Sequence, residues 1–278
     1  MLSYRHAFHA GNHADVLKHL VEVLILQYLV QKQGKPLRYI DTHAGAGCYA
    51  LREAFASKNR EYDSGIARLW QRSDLPTPLA GYVELVRSFN SGGKLSHYPG
   101  SPAIAARILH ANHRLQLFEL HPDDANRLER WAQRDRRIKI QQDDGFTALK
   151  AILPPPEKRA LVMVDPPYEM KTDYATALSA LQMANKKFAT GVYALWYPLL
   201  ALQSVAVLVR KLEALPVKSL LVELPVQAAG GAGMYGSGVF IINPPWPLQQ
   251  QLQDCLPYLH KVLAHPGAPP WRLINNSA

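Results

Sequence analysis

The sequence predicts an α/β protein whose mostly parallel sheet is covered by helices on both faces. Short apolar runs suited to strands alternate with helical patterns along most of the chain. Several of these runs end in a glycine turn or an acidic residue, and the carboxyl ends of parallel strands are where such a fold binds ligands. The predicted strands are residues 37–41, 115–119, 138–142, 161–165, 192–196, 219–224 and 239–243.

Helices are predicted between most of the strands. The first begins after Asn12, a good N-cap, and ends near Gln33, because Gly34 and Pro36 follow. Three more are predicted at residues 121–132, 173–188 and 203–215. The alternation of the two element types therefore supports a sheet built from strand-helix-strand units.

One interval is too long for a single crossover helix. Residues 48–114 separate the first two sheet strands and contain helical segments at 65–71 and 79–90. We interpret residues 53–99 as an inserted helical subdomain packed on one end of the sheet, so that residues 37–52 and 100–278 form the main domain and residues 1–36 an N-terminal cap and helix motif. The insertion could bind substrate or be a structural decoration.

The most informative motif is Asp165-Pro166-Pro167-Tyr168, which directly follows an apolar run. An exocyclic amino nitrogen is a poor nucleophile, so an enzyme that methylates it needs acceptors for its protons. Asp165 supplies a carboxylate, the rigid turn at Pro166 supplies a carbonyl, and Tyr168 offers a face on which a flipped base can stack. The motif thus predicts amino methylation of a nucleic-acid base. The alternative is a buried strand that simply stops at proline.

Other strand ends predict a pocket for S-adenosylmethionine. A glycine-rich turn runs from Asp41 through His43 and Gly45 to Gly47, where the backbone can approach a ligand closely. Glu119 ends the next sheet strand and can bind ribose hydroxyls. Asp144, with Gly145 beside it, can accept from an adenine amino group. The dinucleotide pattern G-x-G-x-x-G is not matched, so the acids in succession favour S-adenosylmethionine over NAD.

A second candidate motif is Asn243-Pro244-Pro245-Trp246, which also follows an apolar run. Some amino methylases have asparagine in the first position. Asp165 follows the acidic strand ends at the spacing of one strand-helix unit, whereas Asn243 comes at the last predicted sheet strand. Position in the chain therefore favours Asp165.

The first nineteen residues are rich in histidine and basic side chains: Tyr4, Arg5, His6, His9, His13, Lys18 and His19. We interpret them as a cap over the pocket, with Tyr4, Arg5, His6 and Lys18 toward substrate and His19 toward the cofactor. A metal site is an alternative because three histidines have roughly helical spacing, and a solvated helix start is another. We expect no metal, since no cysteine accompanies these histidines.

Composition narrows the partners. The 278 residues carry a net charge of +9, which suits a polyanion such as nucleic acid. A basic stretch of Arg127, Arg130, Arg134, Arg136, Arg137 and Lys139 could contact phosphates or be an ordinary charged helix face. Two cysteines, no apparent signal peptide and no apolar run long enough to cross a bilayer predict a cytoplasmic protein without membrane association.

Four strings of the sequence resemble the ribosomal RNA large subunit methyltransferase J family. They are YRHAFHAGNHADVLKH at 4–19, DTHAGAG at 41–47, DPPYEMK at 165–171 and YALWYP at 193–198. The resemblance implies a Rossmann-like class I S-adenosylmethionine-dependent methyltransferase fold with a small helical insertion. It implies a monomer that methylates N(6) of one adenosine in 23S ribosomal RNA before the subunit is fully assembled.

The resemblance also assigns roles to matching positions. It implies cofactor contacts at His19, His43, Ser101, Glu119, Asp144 and Gly145. It makes Asp165 the catalytic residue and places Tyr4 against the RNA. Two other functions remain open: a DNA adenine methylase with the same motif, for which the chain after Tyr168 leaves little room for a recognition region, and an RNA-binding protein without activity.

Overall fold

The computed structural model describes residues 9–32, 34–51, 60–133, 135–231 and 233–277. Their strands are β1 Arg38–Asp41, β2 Cys48–Ala50, β3 His97–Pro99, β4 Arg114–Phe118, β5 Ile138–Gln141, β6 Ala160–Val164, β7 Val192–Leu199, β8 Ser219–Pro225, β9 Gly236–Ile242 and β10 Arg272–Asn276. Their α-helices are α1 His13–Val30, α2 Ala67–Trp70, α3 Thr77–Arg87, α4 Ser101–Ile108, α5 Pro122–Ala132, α6 Gly145–Ile152, α7 Asp173–Lys187, α8 Gln203–Glu213 and α9 Leu248–Leu263. A 3₁₀ helix spans Glu61–Ser64.

Eight of the strands form one sheet in the order β10-β8-β9-β7-β6-β1-β4-β5. Strands β5, β4, β1, β6 and β7 are parallel to one another, while β9 runs antiparallel to both β7 and β8, and β10 antiparallel to β8. The predicted α/β class with a mostly parallel sheet is confirmed. From β1 the chain turns first to β4 and β5 on one side and then to β6 on the other, so the strand order reverses beside β1, where such folds bind ligands.

The register of β1 brings the predicted site residues to one edge of the sheet. Asp41, the last residue of β1, lies opposite Leu117 of β4 and Met163 of β6. Glu119 follows the end of β4, and Asp165 follows the end of β6. Because these strands are parallel and in register, their polar ends converge over β1.

Helix α1 begins where the sequence predicts it. The Oδ1 atom of Asn12 accepts from the amides of Ala14 (2.9 Å) and Asp15 (3.0 Å), which satisfies two otherwise unpaired donors of the first turn. The helix ends at Val30 rather than near Gln33. Every residue from His13 to Leu26 is buried, so the helix is enclosed by the fold on all sides over most of its length.

The inserted segment is closed at its base by a two-stranded antiparallel ribbon. Strands β2 and β3 pair there, with Tyr49 opposite Tyr98. Helix α3 packs on α1 and α9, and helix α2 packs on α9. Buried side chains of the insertion, such as Tyr82 and Val83, belong to the same apolar core as those of α1. The insertion and the main domain therefore share one continuous core.

Helix α1 buries one carboxyl group that has no ion-pair partner among the described residues. Glu22 is fully buried and forms no ion pair among the residues that the structure describes. Burial and the neighbouring Asp41 carboxylate raise the pKa of Glu22 well above its ordinary value of 4.5. Glu22 is accordingly neutral in the folded protein over a range of pH in which an unfolded chain would ionise it.

Replacing Glu22 by glutamine should therefore change how stability depends on pH. A carboxyl group whose pKa is raised by folding contributes fully to stability at pH values below its pKa in the unfolded chain. This contribution is lost as pH rises through its higher pKa in the folded protein. As pH rises above about 4.5, the free energy of unfolding of Glu22→Gln should therefore increase relative to that of the wild type, by up to about 1.4 kcal/mol per pH unit. Urea denaturation between pH 5 and 8 measures the difference, with exposed Glu129→Gln as control. A difference independent of pH would show that Glu22 is ionised.

Candidate active site

A cavity opens at the sheet edge where the ends of β1, β4 and β6 converge. Residues from α1, the glycine turn, α4 and the loops after β4, β5 and β6 line it. Of the predicted cofactor residues, its wall contains His19, His43, Gly45, Ser101, Glu119, Asp144 and Gly145. The tertiary structure thus brings together side chains from six separate parts of the chain.

Glu119 is oriented by two backbone amides. Its Oε2 atom accepts from Gly45 (2.8 Å) and its Oε1 atom from His121 (2.8 Å). Gly45 has a φ of +60°, a conformation that favours glycine, and this directs its amide toward the carboxylate. Each carboxylate oxygen keeps a further acceptor site, which suits the pair of adjacent hydroxyls on a ribose.

Asp144 and Gly145 combine helix capping with a close backbone approach. The Asp144 carboxylate accepts from the amide of Phe146 (3.0 Å) and from Thr147 Oγ1 (2.7 Å), which caps α6. A β-carbon on Gly145 would lie 2.1 Å from the carbonyl oxygen of Thr42, so only glycine allows this approach. The capping carboxylate still borders the cavity and can accept from a ligand.

Asp41 lies behind the cavity wall instead of in it. It is fully buried, and its carboxylate accepts from Ser101 Oγ (2.6 Å), Tyr39 Oη (3.0 Å) and the amide of His43 (3.2 Å). Asp41 is not among the residues that line the cavity, and its predicted contact with the cofactor stays a prediction. Asp41 instead orients Ser101 and the glycine turn.

Two histidines of the wall are held by hydroxyl groups. His19 Nδ1 lies 2.8 Å from Tyr98 Oη, which in turn lies 2.8 Å from Tyr82 Oη in the insertion. His43 Nδ1 lies 2.8 Å from Thr42 Oγ1. Burial lowers the pKa of His43 to about 4, so its ring is neutral near pH 7. A neutral ring avoids placing a further positive charge beside a cationic ligand.

The cavity also contains apolar residues that the motif analysis missed. Leu120 is 49% exposed at the opening, and the ring of Phe146 meets His43 edge-on at 4.8 Å between centroids. Such surfaces suit a flat adenine ring. Their signal was present in the sequence, since Leu120 follows Glu119 and Phe146 follows Gly145.

A second cavity lies on the other side of Asp165. It shares Lys18, Asp165 and Pro167 with the first, while Pro166 faces the first cavity. Its other lining residues come from the N-terminal segment, the residues after β6, β7 and the loop before β9: His9, Asn12, Ala14, Asp15, Tyr168, Trp196, Pro198, Leu200 and Met234. Asp165 therefore stands at the boundary between two cavities.

Tyr168 is held rigidly beside that boundary. Its φ is +53°, and its hydroxyl donates to the carbonyl of Trp196 (2.7 Å). Its ring packs 4.6 Å from the ring of Tyr174 and 6.0 Å from that of Trp196. Left-handed backbone at a non-glycine residue is uncommon, and here it orients an aromatic ring along the second cavity.

Asp165 is paired with a buried lysine. Lys18 Nζ donates to Asp165 Oδ2 (2.6 Å) and lies 2.9 Å from Asp15 Oδ1, and the side chains of Lys18 and Asp15 are 5% and 2% exposed. Burial lowers the pKa of Lys18, but the two carboxylates outweigh this effect and hold it well above the ordinary value. The lysine is thus cationic, and it gives Asp165 a charge-assisted hydrogen bond.

The look-alike motif at Asn243 lies at the opposite edge of the sheet. Because β9 is antiparallel to β7, Ile242 at its end is opposite Tyr193 near the start of β7. Asn243 Nδ2 donates to the carbonyls of Ala189 and Gly191, both at 2.7 Å, and so ties two loops together. Asn243 is a structural turn residue remote from both cavities.

Four of the predicted residues lie outside the described residues, namely Tyr4, Arg5, His6 and Arg134. The described part of the basic stretch, between α5 and β5, is interspersed with acids, and Arg137 pairs with Asp135 at 2.6 Å. Among the described residues, no group of three or more histidine, cysteine or acidic side chains is arranged to hold a metal ion, and no helix is long and apolar enough to cross a membrane.

Comparison with known proteins identifies close relatives. Residues 34–273 match the model of the family described as "Ribosomal RNA large subunit methyltransferase D, RlmJ". The chain is 49% identical to ribosomal RNA large subunit methyltransferase J of Escherichia coli, over 96% of each chain, and 46% identical to that of Haemophilus influenzae, over 98% of this chain and 97% of the relative. A crystal structure of a Legionella pneumophila protein matches with a TM-score of 0.89 at 36% identity, covering 97% of this chain and 99% of that one.

Proposed function

Since the chain belongs to the ribosomal RNA large subunit methyltransferase J family, as its sequence motifs suggested, we propose that it transfers a methyl group from S-adenosylmethionine to the N(6) amino group of an adenosine in 23S ribosomal RNA. The observation that carries this proposal is the position of Asp165. Its carboxylate stands between a cavity with the features of a nucleoside-cofactor site and a second cavity bordered by aromatic rings.

The residues of the first cavity fit S-adenosylmethionine. Gly145 allows the start of α6 to pack against the backbone of Thr42, and the φ of +60° at Gly45 directs its amide toward Glu119. Glu119 would accept from the ribose hydroxyls, and Asp144 from the adenine amino group, with Leu120 and Phe146 against the base. His19, His43 and Ser101 would border the rest of the cofactor. When bound, the cofactor supplies an electrophilic methyl group on a sulfonium.

The second cavity supports a flipped adenine as substrate. Tyr168 and Trp196 present ring surfaces there, and stacking on such rings is worth roughly 1 to 3 kcal/mol per base. Asp165 and the carbonyl of Pro166 would then accept the two amino protons. These bonds direct the nitrogen lone pair toward the first cavity, so that the reaction is promoted mainly by positioning and electrostatics.

Lys18 holds the Asp165 carboxylate in place. Its ammonium group donates to Asp165 Oδ2 at 2.6 Å and so restricts the orientation of that side chain. After the nitrogen has formed its new bond to carbon, the same carboxylate can take the released proton. Tyr4 remains a proposed RNA contact by family resemblance, as does the monomeric state. Arg5 and His6 remain proposed RNA contacts, and the cytoplasmic location remains a proposal, on the sequence alone.

The test is incubation of the protein with methyl-labelled S-adenosylmethionine and either protein-free 23S ribosomal RNA or duplex DNA, followed by nucleoside analysis. We expect label in N(6)-methyladenosine from RNA and little in DNA. Label in DNA alone would replace this proposal by a DNA adenine methylase. Label in neither, with cofactor binding intact, would favour an RNA-binding protein without activity.

A further inference from the structure

We propose that Glu61 of the inserted segment is a positioning residue, which holds the N-terminal segment 9–12 against the second cavity and so sets the affinity for the RNA substrate. The inference rests on the proposed function, because it assigns the second cavity to the RNA base. It gives the insertion a role in catalysis that does not require it to touch RNA.

Glu61 bridges two side chains of the N-terminal segment. Its Oε1 atom lies 2.9 Å from His9 Nδ1, and its Oε2 atom accepts from Asn12 Nδ2 at 3.0 Å. The two partners are 52 and 49 residues away in sequence, so the contact joins the insertion to the start of the fold. Both carboxylate oxygens are used at once, which fixes the spacing between His9 and Asn12.

Backbone contacts also connect segment 9–12 to the inserted segment. The amide of Ile66 donates to the carbonyl of Gly11 (2.9 Å). A β-carbon on Gly65 would lie 2.2 Å from that carbonyl oxygen, so glycine allows the two chains to touch. Gly11 itself has a φ of +79°, and its own β-carbon would meet Ile66 at 3.0 Å. The contact is therefore a tight fit of two backbone segments, with the Glu61 bridge beside it.

The contact between segment 9–12 and the insertion lies next to the proposed reacting groups. His9 and Asn12 line the second cavity, and Asn12 caps α1. The amide of Gly11 donates to Asp15 Oδ2 (2.8 Å), and Asp15 is the second partner of Lys18. Loss of the Glu61 bridge should loosen the cavity wall at His9, immediately after residues 1–8, where the predicted RNA contacts lie. The cofactor cavity contains neither His9 nor Asn12.

Three substitutions of Glu61 separate bridging from charge. Glu61→Ala removes both. Glu61→Asp keeps the charge but is one carbon too short to reach both partners. Glu61→Gln removes the charge, yet its amide can accept from Asn12 and donate to neutral His9 at pH 8. If Glu61 acts as a bridge, the alanine and aspartate variants should be defective and the glutamine variant should resemble wild type. If Glu61 acts through its charge, the aspartate variant should resemble wild type and the glutamine variant should be defective.

The measurements are KM for 23S ribosomal RNA, Kd for S-adenosylmethionine, and hydrogen exchange of residues 9–16 and 61–69 without RNA. For Glu61→Ala and Glu61→Asp we expect about a tenfold higher RNA KM, as the loss of two hydrogen bonds implies, faster exchange, and a cofactor Kd within about twofold of wild type. The control is Glu84→Ala, also in the insertion, whose side chain is 73% exposed.

Two results would overturn the proposal: wild-type exchange and RNA KM in Glu61→Asp, or a cofactor Kd that weakens as much as the RNA KM. If Glu61→Ala does not fold, the aspartate and glutamine variants decide the question. Should the wild-type protein methylate no RNA, the proposed function fails by itself, while hydrogen exchange still supports or refutes the bridge.

Discussion

Asp165→Ala should bind S-adenosylmethionine with nearly wild-type affinity and lose methyl transfer. Asp165 is the carboxylate that stands between the two cavities, and its removal takes away the acceptor that would orient the amino group. Loss of one preorganised polar contact to a reacting group typically costs about 100- to 1,000-fold in kcat. Calorimetric cofactor titration and single-turnover methylation of 23S ribosomal RNA measure the two properties separately.

The matched control for Asp165→Ala is Asn243→Ala in the look-alike motif. Asn243 ties two loops at the far edge of the sheet, so its replacement should lower stability slightly and leave the rate of transfer unchanged. Near-normal methylation by Asp165→Ala, or an equal loss of rate in Asn243→Ala, would contradict the assignment of Asp165.

Lys18→Met should reduce both stability and activity. The substitution leaves Asp15 buried without its cation and Asp165 without its partner. Removing one member of a buried ion pair typically costs about 3 to 5 kcal/mol. Activity should fall as well, because the Asp165 carboxylate at the boundary loses the hydrogen-bond donor that orients it.

The pH dependence of Lys18→Met follows from the same charges. Without the lysine, the buried Asp15 carboxylate keeps the amide of Gly11 as a donor but has lost its cation, so burial disfavours its charged form. A carboxyl group whose charged form is disfavoured by folding contributes to stability at pH values below its pKa in the unfolded chain. This contribution is lost as pH rises. The stability deficit should therefore be larger at pH 8 than at pH 5.

Urea denaturation at the two pH values tests this, with exposed Lys32→Met as control. The double variant Lys18→Met with Asp15→Asn should regain part of the stability but not the methylation. A deficit independent of pH, or recovery of activity in the double variant, would count against the role of the buried cation.

The main features of the fold could be predicted from the sequence because they depend on local patterns. All seven predicted strands exist, since apolar runs of that length bounded by turns have few alternatives. Short or interrupted elements were missed. Helix α4 begins at Ser101, directly after Gly100, and has Pro102 in its first turn, where proline is tolerated. Helix α9 contains Pro257, which disrupts a helical pattern, and β2 and β3 are only three residues long.

The candidate site divides in the same way. The sequence by itself determined which residues are candidates for the site. These are the Asp165 motif, the Gly45 turn and the acids Glu119 and Asp144, because each follows a strand end in the chain. Only the tertiary structure decided that Asp41 lies behind the wall, that Asn243 lies at the far edge, and that Lys18 and Glu61 reach their partners. These outcomes depend on strand direction and on contacts between residues about 50 to 150 positions apart, and local patterns carry no information about such distances.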